Sequence, residues 1–387
     1  MAIGRSSSSG SSAAKAAVKK ALGEMGFNSS GGAINWFPGH MAAATRAIRD
    51  RLKVSDLIIE VRDSRIPLSS VNADLQPHLS KKRRVIALNK KDLANPNVMH
   101  KWTHYFDSRN QDCLPINAHS KSSVKKLLDL VEVKLKEVIS REPTLLVIVV
   151  GVPNVGKSAL INSIHRIASS RFPVQEKIKR ATVGPLPGVT QDIAGFKITH
   201  HPSIYVLDTP GVLVPSIPDI ETGLKLALAG WLLVVKDSVV GEERIAQYLL
   251  AVLNTRGTPL HWKHSNNRRM EGIRYEPEEK HDYNLKDLRP KKKPPNVSDV
   301  VYIEDMVTEV QGALYFSLSE FNGDVENEND LECLIEQQFE ALQKALRIPH
   351  KALEARIMVS KKFLTLFRTG KLVPFILDDV PEVNTAS

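Results

Sequence analysis

The stretch Leu145–Ile164, "LLVIVVGVPNVGKSALINSI", decides the fold. Six Leu, Val and Ile residues in a row suit a buried strand; Gly151-x4-Gly156-Lys157-Ser158 follows, and the rest has helical composition. Strand, glycine loop, helix is the context a phosphate-binding loop requires. Average residue frequencies would produce the bare pattern in about one or two chains per hundred of this length. The glycines let the backbone N–H groups of Asn154, Val155, Gly156, Lys157, Ser158 and Ala159 wrap an anion at a helix N-terminus. Lys157 then reaches the β and γ phosphates, and Ser158 is placed to ligate Mg²⁺.

Downstream, "IYVLDTPG" closes a second apolar run on Asp208, which the spacing sets near the metal, with the Gly211 N–H facing a γ-phosphate. Asp-x2-Gly is common by itself; its weight comes from the strand and its distance after the phosphate loop. Between the two lies "KIKRATVGPLPGVTQD", polar and punctuated by Gly and Pro, as a switch loop would be. Thr190 is its candidate for closing over the metal and γ-phosphate, against the reading of an ordinary loop threonine.

Upstream, "DLIIEV", "RVIALN" and "LPI" are further short apolar runs, separated by helical stretches such as "HMAAATRAIRDRLKVS" and "SVKKLLDLVEVKLKEVI". The alternation predicts an α/β doubly wound, mostly parallel sheet. "RVIAL" leads into Asn89-Lys90-Lys91-Asp92, at the carboxyl edge where open α/β sheets bind ligands. The Asp92 carboxylate can accept from the N1–H and exocyclic amine of guanine, which adenine does not offer in that arrangement. Asn89 can bridge loops, and Lys90 can lay its stem across the base. Ordinary GTPases place the phosphate loop first, whereas here it comes about sixty residues after "NKKD". Domain termini often lie close together, so a fold can be cut and rejoined without moving its site. The order predicts a circular permutation.

With 387 residues and 42% apolar content, the chain can bury a substantial core and divide into two or three domains. The net charge of +10 and pI near 9.4 favour a polyanionic partner. Cys113 and Cys333 cannot supply a disulfide framework, and no paired Cys/His spacing suggests zinc. The longest apolar runs fall short of the roughly twenty residues needed to cross a bilayer, so a soluble protein is expected. The leader, residues 1–32, is rich in Ser, Ala and Lys with no acidic residue before Glu24, the composition of an organellar transit peptide or of a plain disordered tail. Residues 33–216 form the predicted nucleotide domain, and 217–257 a helical connector built on "ETGLKLALAGWLLV" and "RIAQYLLAVLN". Residues 258–299 are a polar, Pro-rich, basic insertion, and 300–380 a helical domain.

The order "NKKD", "INAHS", "GVPNVGKS", "PGVT", "DTPG", framed by "NWFPGHMAAA", "EVRDSRIPLSS" and "FRTGKLVPFILD", resembles the circularly permuted GTPases of the YlqF/RbgA type. With the leader, it is most similar to mitochondrial ribosome-assembly members of that family, and the Ser content points to a plant version. The resemblance implies a GTPase that binds GTP and GDP with Mg²⁺ and acts in maturation of the large subunit of an organellar ribosome. Mitochondrion, on the matrix side, is the expected compartment, with plastid as the alternative. A monomer is expected, with peripheral contact to the organelle inner membrane left open. In "INAHS", Asn117 stands where Ser or Thr is usual and is expected to loosen the loop, while Ala118 acts through its backbone N–H on the guanine O6. "DSR", Asp63 to Arg65, has Ser64 where relatives carry Ala.

Val212 follows Gly211 where many GTPases place a water-orienting Gln, so slow basal hydrolysis is expected. The family assigns a catalytic role to His40 of "FPGHM", against which stands a His that caps the loop. Asn154 matches the asparagine that holds K⁺ in related potassium-activated enzymes. At the C-terminus, Leu353, Ile357 and Leu364 are read as one buried helical face. That leaves Lys361, Lys362, Arg368 and Lys371 to meet ribosomal RNA, as the family's helical domain does. Two other classes stay open: an RNA-binding scaffold that uses GTP only for stability, and an ATP-dependent nucleotide kinase with a chance "NKKD".

Overall fold

The computed structural model describes residues 34–35, 39–139, 144–171, 195–200, 203–209, 216–217, 219–231, 241–264, 297–349 and 354–381. The leader, most of the insertion, the switch loop with Thr190, and Gly211 and Val212 lie outside the described residues.

In chain order the elements begin with β1 (Ile34–Asn35), α1 (Gly39–Val54), β2 (Leu57–Asp63), α2 (Gln76–Leu79), β3 (Arg84–Asn89), α3 (Pro96–Asp107) and β4 (Asp112–Pro115). Next come α4 (Lys121–Ile139), β5 (Thr144–Val150), α5 (Lys157–Arg171), β6 (Gly195–His200), β7 (Ser203–Asp208) and β8 (Ser216–Ile217). Six of the strands form one sheet in the order β4-β3-β2-β5-β7-β6. All neighbours are parallel except β6, which runs antiparallel to β7 at the edge. β1 and β8 pair separately as a two-stranded antiparallel ribbon.

This order makes the permutation visible. β5 sits inside the sheet with β2 on one side and β7 on the other. Strands that precede it in sequence extend one way and strands that follow extend the other, so the winding reverses between β2 and β5. Ligands of open α/β sheets bind at such a switch point, beyond the carboxyl ends of the strands. The ends concerned are Asp63 on β2, its register partner Asn89 on β3, and Gly151 after β5.

β3, β5 and β7 form where expected because each is built on an apolar run without Gly or Pro. β2 is buried along its full length, and its charged members are matched inside the fold. The Glu60 carboxylate accepts both Arg62 Nε (2.9 Å) and the second guanidinium nitrogen (3.0 Å), and also Arg84 at 3.0 Å. α3 starts on Asn95, whose side chain accepts from the N–H groups of Asn97 and Val98, with Pro96 in the first turn. Its Met99, Trp102, Tyr105 and Phe106 pack with Ile86 and Leu88 of β3. β6 was not foreseen: "GFKITH" mixes Gly, Lys and His into a short edge strand.

After β8, α6 (Ile220–Leu226) gives way to a wider turn through Ala227–Trp231, where Gly230 leaves helical geometry with φ 104°. The single helix read through "ETGLKLALAGWLLV" is therefore cut short. The remaining helices are α7 (Glu242–Thr255), α8 (Val297–Ser319), α9 (Glu328–Ala345) and α10 (Ala355–Arg368).

Packing divides the described chain into two units, one made of residues 30–241 with 368–381, the other of 242–367. The division differs from the expected one. The connector 217–257 is split between the units, and the end of the 300–380 domain returns to the sheet. Ile376 lies in the apolar cluster of β3 and α3, and the Asp378 carboxylate accepts the N–H groups of Leu68 and Ser69 at 2.8 Å each. In the helical unit, Asn254 and Gln338 exchange two buried amide bonds of 2.8 Å, so neither polar group is stranded. The expected face of α10 is also corrected. Ile357 and Met358 are about 40% exposed, while Val359, Phe363, Leu364 and Phe367 are buried; Leu353 lies outside the described residues. No helix among the described residues is long and apolar enough to cross a membrane.

Candidate active site

The phosphate loop and the "NKKD" loop meet through side chains. Asn89 donates from Nδ2 to the Val155 carbonyl at 2.8 Å and accepts on Oδ1 from the Ala118 N–H at 2.9 Å. One carboxamide thus joins "NKKD", "GVPNVGKS" and "INAHS". Gly156, at φ 94°, makes that approach possible, because a Cβ there would stand 2.2 Å from Asn89 Nδ2. Lys90, itself left-handed at φ 62°, donates from Nζ to the Asn154 carbonyl at 2.7 Å and to Asp63 Oδ2 at 2.8 Å. The Lys91 N–H adds a bond to the Ile116 carbonyl at 3.1 Å.

Asp63 is fully buried and gripped by Arg65 on both oxygens, at 3.0 and 2.9 Å. Burial pushes its carboxyl up, but the charges of Arg65 and Lys90 outweigh that and hold it well below the usual carboxylate range. Burial pulls the Lys90 ammonium down despite Asp63.

Lys157 is buried in the first turn of α5, its Nζ donating to the Val152 carbonyl at 2.8 Å, so the ammonium curls over the loop. Ser158 follows it, partly exposed. Asp208 ends β7 in register with Val149 of β5, which brings its backbone to the same edge of the sheet as the phosphate loop. The adjacent Thr209 donates to the Val149 carbonyl at 2.6 Å. Hydroxyl and carboxylate oxygens from Ser158 and Asp208 are the hard donors Mg²⁺ takes, so the residues present fit the ion. Among the described residues no group of three or more His, Cys, Asp or Glu forms a metal cage, and an ion here would complete its shell with phosphate and water.

Asp92 is exposed in the short 3₁₀ turn Lys91–Leu93, free to face a base. The Asn117 side chain accepts from the His119 N–H at 2.8 Å, so it closes a turn in its loop, contrary to the loosening expected of it. Ser163 donates to the Ala118 carbonyl at 2.6 Å and supports the same loop from α5. The Asn154 Nδ2 donates to the Gly230 carbonyl at 3.3 Å. His40 falls in the first turn of α1, and its side chain, like that of Asp208, lies outside the described residues.

Residues 146–281 match the profile of a family described as "50S ribosome-binding GTPase". Over 96% of its length the chain is 74% identical to "Short integuments 2, mitochondrial" of Arabidopsis thaliana, covering 96% of that protein. The chain belongs to the circularly permuted GTPases of the YlqF/RbgA family. "DAR GTPase 2, mitochondrial" of the same plant is 38% identical, with 89% of this chain and 90% of that one covered. "Ribosome biogenesis GTPase A" of Bacillus cereus is 35% identical over 56% of this chain and 70% of its own. The GTPase is mitochondrial, and the plastid alternative is set aside.

Sequence reading missed Ser163, which no motif marked, quoted Thr209 only within "DTPG", and gave Asp63 and Arg65 only as part of a family segment. Charges clustered at Arg62, Asp63 and Arg65 after the apolar start of β2 were the available signal. Arg368 is a further correction. It was assigned to RNA, but its guanidinium donates to the Ala227 carbonyl at 3.0 Å and its own carbonyl accepts from Arg65 at 3.4 Å, which builds it into the sheet unit. Lys361 and Lys371 are exposed. Lys361 has Glu242 3.5 Å away, and the partly buried Lys362 donates to the Leu346 carbonyl at 3.3 Å.

Proposed function

We propose that this GTPase binds GTP with Mg²⁺, docks in that state on the RNA of the large subunit of the mitochondrial ribosome during its maturation, and leaves after hydrolysis. The observation that carries the nucleotide part is the Asn89 and Lys90 bridge, which holds a guanine-type loop against a phosphate loop. In this reading Asp92 takes the guanine edge, with the Ala118 N–H on O6. The N–H groups from Asn154 to Ala159 cradle the phosphates, and Lys157 swings from the Val152 carbonyl onto the β and γ oxygens. Ser158, Asp208 and Thr190 hold the Mg²⁺, which neutralises charge on the β and γ phosphates. Gly211 donates to the γ-phosphate, and Val212 cannot orient water, so the site is slow until His40 and the ribosome complete it. K⁺ against Asn154 is a second source of positive charge at the phosphates. The leader serves as the transit peptide.

The ribosomal part is supported by the names of the relatives and by the excess of basic charge. That charge is unevenly placed: residues 301–340 hold eleven acidic residues and no Lys or Arg. The RNA contacts therefore belong to Lys361, Lys362, Lys371 and the basic insertion rather than to α8 and α9. Phosphate contacts of this kind make attachment salt-dependent.

The test is co-sedimentation of the full-length GTPase with large mitochondrial ribosomal subunits. A typical coupling predicts affinity about five- to 150-fold higher with a non-hydrolysable GTP analogue than with GDP. Equal affinity in the two states removes the switch.

A further inference from the structure

Asp92 is exposed, yet the turn that carries it is tied on both sides to the C-terminal segment 368–378. On one side, the Leu93 carbonyl accepts the Phe375 N–H at 3.2 Å. Gly370 passes so close, at φ 70°, that a Cβ there would lie 2.6 Å from Leu93 Cδ2. On the other side, Lys90 rests on Asp63 and Asp63 on Arg65. Arg65 meets the segment twice, accepting the Leu377 N–H on its carbonyl at 2.8 Å and donating to the Arg368 carbonyl at 3.4 Å. The segment is pinned further on by Asp378, which takes the N–H groups of Leu68 and Ser69, the Ser69 hydroxyl at 2.6 Å, and the Lys225 ammonium at 3.4 Å.

We propose that the segment 368–378 is part of the guanine-reading apparatus, positioning Asp92 from behind through Leu93 and through the Arg65–Asp63–Lys90 chain. This rests on the reading of Asp92 as the guanine acceptor and extends it. A carboxylate that must accept two directed bonds from one base edge gains from a fixed turn, because hydrogen bonds weaken steeply off their axis. An exposed Asp in a three-residue turn cannot fix itself. The segment supplies the support, although beyond Arg368 it has no regular structure and lies almost 280 residues away in sequence. By reciprocity, a bound guanine steadies the segment as much as the segment steadies the base site.

A segment that only stabilised the fold would weaken every nucleotide alike. The discriminating ligand is inosine diphosphate, which differs from GDP only in lacking the exocyclic amine that Asp92 accepts. Wild-type protein is expected to prefer GDP over IDP by about tenfold or more, the worth of one charge-assisted bond. Gly370→Ala forces a Cβ against Leu93, and Asp378→Asn loosens the anchor. In both full-length variants GDP, which gives Asp92 both the N1–H and the amine, should lose more affinity than IDP, which gives it the N1–H alone, so that the preference shrinks roughly threefold or more. A preference kept at the wild-type ratio overturns the proposal while leaving the Asp92 reading intact; a wild type that does not prefer GDP sinks both. Should the variants not fold, hydrogen exchange on the wild type decides. GDP should slow exchange of the Phe375 and Leu377 amides more than IDP does, and equal rates with GDP, IDP and no nucleotide contradict the proposal.

Discussion

Lys157→Ala is expected to abolish useful turnover, lowering single-turnover GTP hydrolysis by about 10²- to 10³-fold, the usual cost of losing one preorganised charge partner for a reacting oxygen. The ammonium is buried and already lies over the loop, 2.8 Å from the Val152 carbonyl, so little reorganisation is needed for it to meet phosphate. Phosphate release at saturating GTP, with Mg²⁺, K⁺ and large subunits supplied, measures the effect. The thermal midpoint should move little, because the removed side chain leaves the apolar packing of α5 against the sheet in place. Turnover within a few-fold of wild type would remove Lys157 from the phosphate site.

The second large effect is on specificity. Asp92→Asn keeps the shape of the turn but replaces a two-bond acceptor by a mixed donor and acceptor. The loss of charge-assisted bonds, at about 1.5–3 kcal/mol each, should weaken GDP binding roughly 100-fold or more. The same variant should gain affinity for xanthosine diphosphate, whose carbonyl at C2 accepts from the new amide. Calorimetric titration with the two diphosphates reads both changes. Asp92 is exposed in its turn, so misfolding would not explain a reversed preference. Unaltered GDP binding would show that "NKKD" does not read the base.

How much of this was legible in the sequence follows from where each signal is stored. The strand, loop and helix from β5 into α5 are local, and so is "NKKD" at the end of β3. Their reversed order pointed to permutation, and the sheet order shows how β5 comes to lie beside β2. Long-range polar partners are stored differently. Asp63 reads as a strand-end carboxylate until the fold brings Lys90 and Arg65 to it. The segment from Arg368 to Asp378 has no period to read, since its partners Leu93, Arg65 and Leu68 come from loops hundreds of residues upstream. α10 misled for another reason. Ile357, Met358, Val359, Phe363, Leu364, Leu366 and Phe367 surround much of the helix, so spacing alone could not choose the buried side. Arg368 then looked like one more exposed cation, when its partner is the carbonyl of Ala227.

The central claim is that a chain in permuted order still builds one guanine nucleotide site, with the reading loop from β3 and the phosphate loop from β5 held together by Asn89 and Lys90. Displacement of a fluorescent GDP analogue from the full-length protein tests it most directly. GTP and GDP should displace the probe, and ATP at about tenfold excess should leave it bound, because adenine presents no N1–H and amine pair to Asp92. Displacement by ATP at concentrations close to those of GTP would contradict the account.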